Sequence, residues 1–212
     1  MTFLSAGFTH LLIDLDDTVY PPEVPIWNII GERINRYMIE FVGIPEADVV
    51  SIREHLFTTY GTTLRGLQIE HGISMDHYNE YVHSVSYGDL LKSDIQLRDA
   101  LLRLPQEKWI FTNANLTHAE NVLSQMALRD IFTGIIDINA TAPWCKPYPE
   151  AFQIALRLCG NPDPARTVFI DDRVPNLDAA ASLGLRTILV GAEPSPLHPT
   201  VPRLADIQHL FV

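Results

Sequence analysis

Three aspartates stand within four positions in the stretch Leu11-Leu12-Ile13-Asp14-Leu15-Asp16-Asp17-Thr18. Carboxylates this close repel, and burying one without a partner costs several kcal/mol or shifts its pKa. A solvated acidic turn accounts for the stretch taken alone. Other polar residues, however, also terminate apolar runs. Thr112 and Asn113 follow Trp109-Ile110-Phe111, and Asp171 and Asp172 follow Thr167-Val168-Phe169-Ile170. Lys146, with Lys92 and Lys108 one of three lysines in the chain, precedes Pro147 ahead of a helix-like segment. Each tip has an ordinary reading as a strand end, cap or helix start. Two acidic tips, a hydroxyl tip and a lysine on one rim would form a charge-balanced pocket suited to metal-assisted phosphoryl transfer.

Something must bring those tips to one rim. The runs at 10–13, 109–111, 134–138, 167–170 and 187–190 lack alternation, as strands buried on both faces do. Helical patterns at 117–127, 148–159 and 174–183 separate the later runs, so the spacing predicts an α/β fold with a doubly wound parallel sheet. In such sheets ligands bind beyond the carboxyl ends of the strands. Residues 20–90 read differently. Ile26, Ile29, Ile30, Ile34, Tyr37, Met38 and Phe41 recur at helical spacing, further helices are expected from Ala47 to Leu56 and from Met75 to Val85, and no strand is evident. An insert of about 70 residues exceeds an ordinary connection. The expected organisation is a core of 1–19 and 91–212 interrupted by an all-helical subdomain over 20–90.

With 47% hydrophobic and 19% charged residues, the 212-residue chain has material for a packed core rather than a disordered tract. A formal net charge of −11 argues against a nucleic-acid partner, which needs clustered Lys and Arg. A small phosphorylated ligand remains compatible, because a divalent cation reverses the local field. Cys145 and Cys159 match no metal or redox spacing and read as small buried hydrophobes. No apolar stretch approaches 18 residues and no leader pattern opens the chain, so the expectation is a cytoplasmic protein with no membrane partner, monomeric or homodimeric.

The motif set resembles that of the haloacid dehalogenase (HAD) superfamily, most of whose members are phosphatases. Asp14-Leu15-Asp16-Asp17-Thr18 is similar to its DxDxT signature and Ile110-Phe111-Thr112-Asn113 to its second motif. Lys146-Pro147-Tyr148-Pro149-Glu150 is similar to the third, and Phe169-Ile170-Asp171-Asp172 to the fourth, in the family's order. The resemblance implies a Rossmann-like HAD core with a C1-type cap. It implies Asp14 as a nucleophile forming an aspartyl-phosphate and Asp16 as the proton shuttle, its carbonyl also ligating Mg²⁺. Asp171 and Asp172 would complete a Mg²⁺ site with Asp14, Asp172 favoured as the direct ligand. Thr112 and the Asn113 amide would bind phosphoryl oxygens, and Lys146 would neutralise charge. Thr18 would orient the nucleophile loop, and Asn176 would brace the Asp171-Asp172 loop. Asp17, where family members often carry Asn or Gly, would be structural or solvated.

Tyr60-Gly61-Thr62-Thr63-Leu64-Arg65-Gly66-Leu67, together with the start Asp14-Leu15-Asp16-Asp17-Thr18-Val19-Tyr20, is further similar to the pyrimidine 5′-nucleotidase branch. That makes Tyr20, Tyr60, Thr63, Arg65 and His71 candidate substrate contacts and a pyrimidine nucleoside 5′-monophosphate the expected substrate. Another small phosphoester, such as a sugar phosphate or phosphoglycolate, and a phosphomutase reaction share the same core motifs. A dehalogenase would lack the second carboxylate, which Asp16 supplies. A receiver-like domain would be about half this length without the insert, and an inactive ligand-binding protein would not need every catalytic residue present.

Overall fold

The computed structural model describes residues 7–88 and 90–210. Two compact units divide it, Met1–Glu23 with Leu91–Val212 and Val24–Leu90. The first carries a six-stranded sheet: β1 (His10–Ile13), β2 (Glu107–Phe111), β3 (Gly134–Ile136), β4 (Thr167–Asp171), β5 (Arg186–Val190) and β6 (Thr200–Val201). Their order is β3-β2-β1-β4-β5-β6, and every pairing is parallel. The expected doubly wound sheet is therefore present. Neighbouring β1 and β4 run in register, with Ile13 opposite Ile170. The order reverses direction at β1, the switch point where such sheets open a crevice at their carboxyl ends.

The pleat sends alternate side chains to opposite faces, and both faces of the central strands are buried. Leu12, Phe111, Ile136, Phe169 and Leu189 pack on Ala151, Phe152, Ala155 and Leu156 of α8 (Pro149–Leu158) and on Leu177 and Ala180 of α9 (Val174–Ser182). Phe152 meets Phe111 and Phe169 edge-on, with centroids 5.2 and 5.0 Å away, a favoured aromatic geometry. Leu11, Ile13, Ile110, Val168 and Ile170, pointing the other way, are equally buried.

Local chemistry departs from the apolar pattern in a few places. The run expected to continue to Ile138 stops at Ile136, because Asp137 caps the four-residue α7 (Ile138–Thr141) through Ala140 N–H. Its other oxygen accepts Leu116 N–H at the start of α6 (Leu116–Gln125), so one carboxylate caps two helices. The two-residue β6 and the helix α5 (Ile95–Leu102) are additions to the expected elements.

The second unit is helical among its described residues: α1 (Ile26–Tyr37), α2 (Val49–Tyr60), α3 (Thr63–His71) and α4 (Met75–Val82). The Arg53 guanidinium on α2 bonds Gly31 O and Asn35 Oδ1 of α1, both at 3.0 Å. The distinctive segment at 60–67 forms the α2–α3 turn. Gly61, at φ 85°, terminates α2, and the Thr62 hydroxyl caps α3 by accepting Arg65 N–H at 3.1 Å. Gly66 lets the two helices close: a Cβ there would stand 2.7 Å from Leu56 Cδ2 and 2.9 Å from Tyr60 Cδ2. Gly66→Ala is therefore expected to lower stability by about 1–3 kcal/mol, the usual range for overpacking, read as a drop in the urea midpoint. Exposed Gly7, with open space at its Cβ, serves as the control and should tolerate Ala within about 0.5 kcal/mol.

Candidate active site

Strand ends place the reacting groups. Asp14 follows β1 directly, its N–H donating to Ile170 O of β4 at 2.9 Å, and Asp171 is the last residue of β4. The Lys146 ammonium bridges them, 2.6 Å from Asp14 Oδ1 and 2.8 Å from Asp171 Oδ2. Lys146 is 1% exposed, and its ammonium lies 5.2 and 5.3 Å from the Phe111 and Phe169 ring centroids. Its peptide is gripped by Asn113, whose Nδ2 donates to Lys146 O while its Oδ1 accepts Lys146 N–H, both at 2.9 Å. The expected phosphate donor Asn113 thus commits its side-chain amide to the lysine. Its backbone N–H is a further donor that could face a phosphoryl group.

Asp171 is surrounded by donors. Beyond Lys146 it accepts Arg173 N–H at 2.8 Å and Asn176 Nδ2 at 2.9 and 3.1 Å. Thr18 spans the two acidic tips, its hydroxyl reaching Asp172 Oδ1 at 3.5 Å. Thr112 is buried at the end of β2 and accepts Ala114 N–H at 3.0 Å, which leaves its hydroxyl proton to donate.

Asp16 is held apart from this group. Its Oδ1 lies 2.5 Å from the Tyr20 hydroxyl and 2.6 Å from His118 Nε2, and all three residues are buried. Burial and the Asp16 charge hold the Tyr20 phenol far above its usual pKa, so it remains a donor. Tyr20, expected in the helical insert as a substrate contact, instead lies in the sheet-bearing unit with its hydroxyl on Asp16. Asp17 takes the left-handed conformation, φ 59°, which turns the chain between Asp16 and Thr18.

Asp14 and Asp171 share one ammonium, and Asp172 and Asp16 add negative charge beside Asp14. Burial and the neighbouring carboxylates raise Asp14 well above the usual carboxylate range despite Lys146. Asp172 is pushed up to about 6 by burial and Asp171, and Asp17 to about 7 by burial, Asp172 and Asp16. For Lys146, burial opposes the charge, yet Asp14 and Asp171 outweigh it and hold the ammonium above its ordinary value. Asp14, Asp171 and Asp172 each offer an oxygen within 4.8 Å of the others. Hard carboxylate donors with unneutralised negative charge fit a divalent cation such as Mg²⁺.

A model of haloacid dehalogenase-like hydrolases matches residues 8–184. The chain belongs to that family. Phosphate metabolism protein 8 of Saccharomyces cerevisiae is 26% identical to this hydrolase over 193 residues, 83% of the chain but 59% of the yeast protein. The chain thus spans about three fifths of that relative's length. Among solved structures, CbbY from Rhodobacter sphaeroides in complex with phosphate superposes with a TM-score of 0.65 at 19% identity, covering 94% of this chain and 96% of its own. The HAD-hydrolase YfnB from Bacillus subtilis bound to magnesium gives 0.61 at 18% identity, covering 97% and 99%.

Of the residues singled out in the sequence, this hydrolase brings Asp14, Asp16, Thr112, Asn113, Lys146, Asp171 and Asp172 to the carboxyl ends of β1, β2 and β4 or the loops beside them. Tyr60, Thr63, Arg65 and His71 belong to the helical unit. Tyr60 packs at Gly66, Thr63 is buried in the first turn of α3, Arg65 is half-buried and His71 is exposed in the last turn. His118 belongs to none of the four motifs. Its signal was a position in the first turn of the helix that follows the Thr112 tip, with Asn115 capping through His118 N–H at 2.9 Å. No helix among the described residues is long and apolar enough to cross a membrane.

The raised carboxylates fix the sign of a pH dependence. A carboxyl whose folded pKa exceeds its unfolded value binds its proton more tightly when folded, so metal-free stability falls as pH rises from about 4 to about 7. Thermal melts after EDTA treatment should show a Tm several degrees lower at pH 8 than at pH 5.5. Mg²⁺ should recover most of the loss at pH 8 and little at pH 5.5, where it competes with protons. A metal-free Tm that rises over this interval would contradict the charge excess.

Proposed function

We propose that this hydrolase is a Mg²⁺-dependent phosphomonoesterase acting through an aspartyl-phosphate on Asp14. The reading is carried by the Lys146 ammonium bridging Asp14 and Asp171 beneath two raised carboxylates, a site short of positive charge where a phosphoryl group would arrive with its metal. Asp14 and Asp172, with the Asp16 carbonyl, would hold the ion. Asp171 would brace rather than ligate directly, since Lys146, Arg173 N–H and Asn176 already occupy its oxygens. When bound, Mg²⁺ supplies electrostatic stabilisation of the phosphoryl oxygens and offsets the carboxylate repulsion.

The chain's own residues do the rest. Asp14 attacks phosphorus while Lys146 holds its carboxylate in place and neutralises charge on the transferring group. The Thr112 hydroxyl and Asn113 N–H receive phosphoryl oxygens. Asp16 protonates the departing alkoxide and then takes a proton from the water that releases phosphate. The phosphate in the CbbY structure and the name of the yeast relative support a phosphorylated substrate.

The finer reading is a pyrimidine nucleoside 5′-monophosphate such as UMP or CMP, supported by the 60–67 segment. Gly61, Thr62 and Gly66 have helix-turn roles there, and Thr63 and Leu64 are buried. Tyr60 and Arg65 remain the candidates for reading a base. A site that hydrogen-bonds one group rejects analogues lacking it more strongly than apolar contact can.

Asp14→Asn should abolish turnover, whereas Asp16→Asn should slow it by about 10²–10⁴-fold. The acyl-phosphate mimic BeF₃⁻ should be trapped by Asp16→Asn and not by Asp14→Asn, and the reverse would exchange the two roles. Hydrolysis of p-nitrophenyl phosphate should stop on chelation of the metal; persistence in verified metal-free protein would remove Mg²⁺ from the reading. For the substrate, kcat/KM should favour UMP over AMP, with Arg65→Ala eroding the preference while p-nitrophenyl phosphate changes less. Equal use of purine nucleotides, sugar phosphates or phosphoglycolate would end the pyrimidine assignment and leave the Asp14 chemistry standing.

A further inference from the structure

Asp16 sits in a crowd of like charges, and its own charge helps raise both Asp14 and Asp17. Repulsion would turn an unrestrained carboxylate away from them and from any substrate between them. Two donors converge on a single oxygen instead. The Tyr20 hydroxyl comes from four residues along the same loop, and His118 Nε2 from the first turn of α6, 102 residues away. All three side chains are buried: Tyr20 is 1%, His118 0% and Asp16 5% exposed.

The two anchors are themselves fixed. Asn115 caps α6 at His118 N–H, and Asp137 takes Leu116 N–H, so the helix end carrying His118 is tied to the end of β3. A phenol is protonated at neutral pH, so Tyr20 faces the carboxylate as a donor.

We propose that Tyr20 and His118 are positioning residues that hold Asp16 by Oδ1 so that Oδ2 carries the proton exchanged with substrate. The proposal rests on the phosphoryl-transfer reading above. In the first half-reaction an Asp14 oxygen bonds to phosphorus as the bond from phosphorus to the leaving oxygen breaks, and the Asp16 Oδ2 proton goes to that oxygen. In the second, water attacks phosphorus, its proton returns to Asp16 Oδ2, the bond from phosphorus to Asp14 breaks, and inorganic phosphate leaves. Tyr20 and His118 exchange no proton with substrate; they act only through the orientation of Asp16.

Leaving-group dependence separates this role from a merely structural one. Nitrophenolate leaves readily without protonation, whereas an alkoxide does not. kcat/KM reports the step that forms the aspartyl-phosphate, and kcat includes its hydrolysis. For Tyr20→Phe and His118→Leu, kcat/KM on an alkyl phosphate should fall by about 10–100-fold, a sizeable part of a general-acid contribution. On p-nitrophenyl phosphate kcat/KM should stay within about threefold of wild type while kcat and KM fall together, the pattern of slowed dephosphorylation. His118→Gln, which keeps a side-chain N–H donor, should recover most of the alkyl phosphate loss and guards against a His118→Leu variant that fails to fold.

A spectroscopic arm needs no turnover. In metal-free protein the His118 ring N–H proton, assigned by its loss in His118→Gln, should resonate far downfield and move upfield in Asp16→Ala. A proton unmoved by Asp16→Ala would overturn the contact. Equal losses of kcat/KM on both esters, or none on either, would overturn the positioning role while the phosphatase reading stands. Wild-type protein that hydrolyses neither ester would sink the phosphatase reading, and the proton-transfer role of the clamp with it.

Discussion

One ammonium held among buried carboxylates is the constraint on which the site depends. Lys146 Nζ reaches Asp14 and Asp171 only because β1 and β4 are neighbours in register at the point where strand order reverses. A charge this buried is tolerable when its partners are close and its geometry fixed. The Phe111 and Phe169 rings beside the ammonium belong to the core that α8 covers. Asn113 clamps the peptide from which the side chain springs. Taking the lysine away would leave two buried carboxylates without a counter-charge, a change typically worth 3–5 kcal/mol. Sheet order, aromatic core and loop clamp all converge on one amine.

Hydrogen bonding then divides four chemically identical carboxylates into two kinds. Asp171 and Asp16 are surrounded by donors: Lys146, Asn176 and Arg173 N–H on the first, Tyr20 and His118 on the second. Asp14 has a share of the Lys146 ammonium and Asp172 the Thr18 hydroxyl, yet burial and the neighbouring carboxylates still raise both. Carboxylates satisfied by the protein hold position. Those that remain raised sit where the excess of negative charge suits a cation. The distinction lies in the second layer of residues, since the four aspartates offer the same functional group.

That layer also marks where the sequence stops being legible. Apolar runs buried on both faces announce β1, β2, β4 and β5, and the polar residues behind β1, β2 and β4 announce the rim. Patterns local to a strand end survive in sequence because the strand itself sets the direction of the next side chain. Asp137 could not be read this way, since Ile135-Ile136-Asp137-Ile138 looks like one strand until its carboxylate is seen to cap two helices. β6, two residues long, has no period to detect. His118 was one of eight histidines, and only the packing of α6 against the loop after β1 distinguishes it. Tyr20 reads as part of the insert because the unit boundary, after Glu23, leaves no mark in composition.

Asp17 completes the account of the three crowded aspartates, for it is present on backbone grounds. Its φ of 59° is a conformation that costs most L-residues about 1–2 kcal/mol and that Gly, Asn and Asp adopt most readily. The turn directs Asp16 toward Tyr20 and His118 on one side and Thr18 toward Asp172 on the other. The same three residue types are those the family resemblance places at this position, which a charge-based role would not explain for Gly or Asn. In this chain the carboxylate is a burden: it is pushed up to about 7, and its Oδ1 is buried with no hydrogen-bond partner among the described residues. Asp14 is held by Lys146, Asp16 by Tyr20 and His118, and Asp17 is present for its φ.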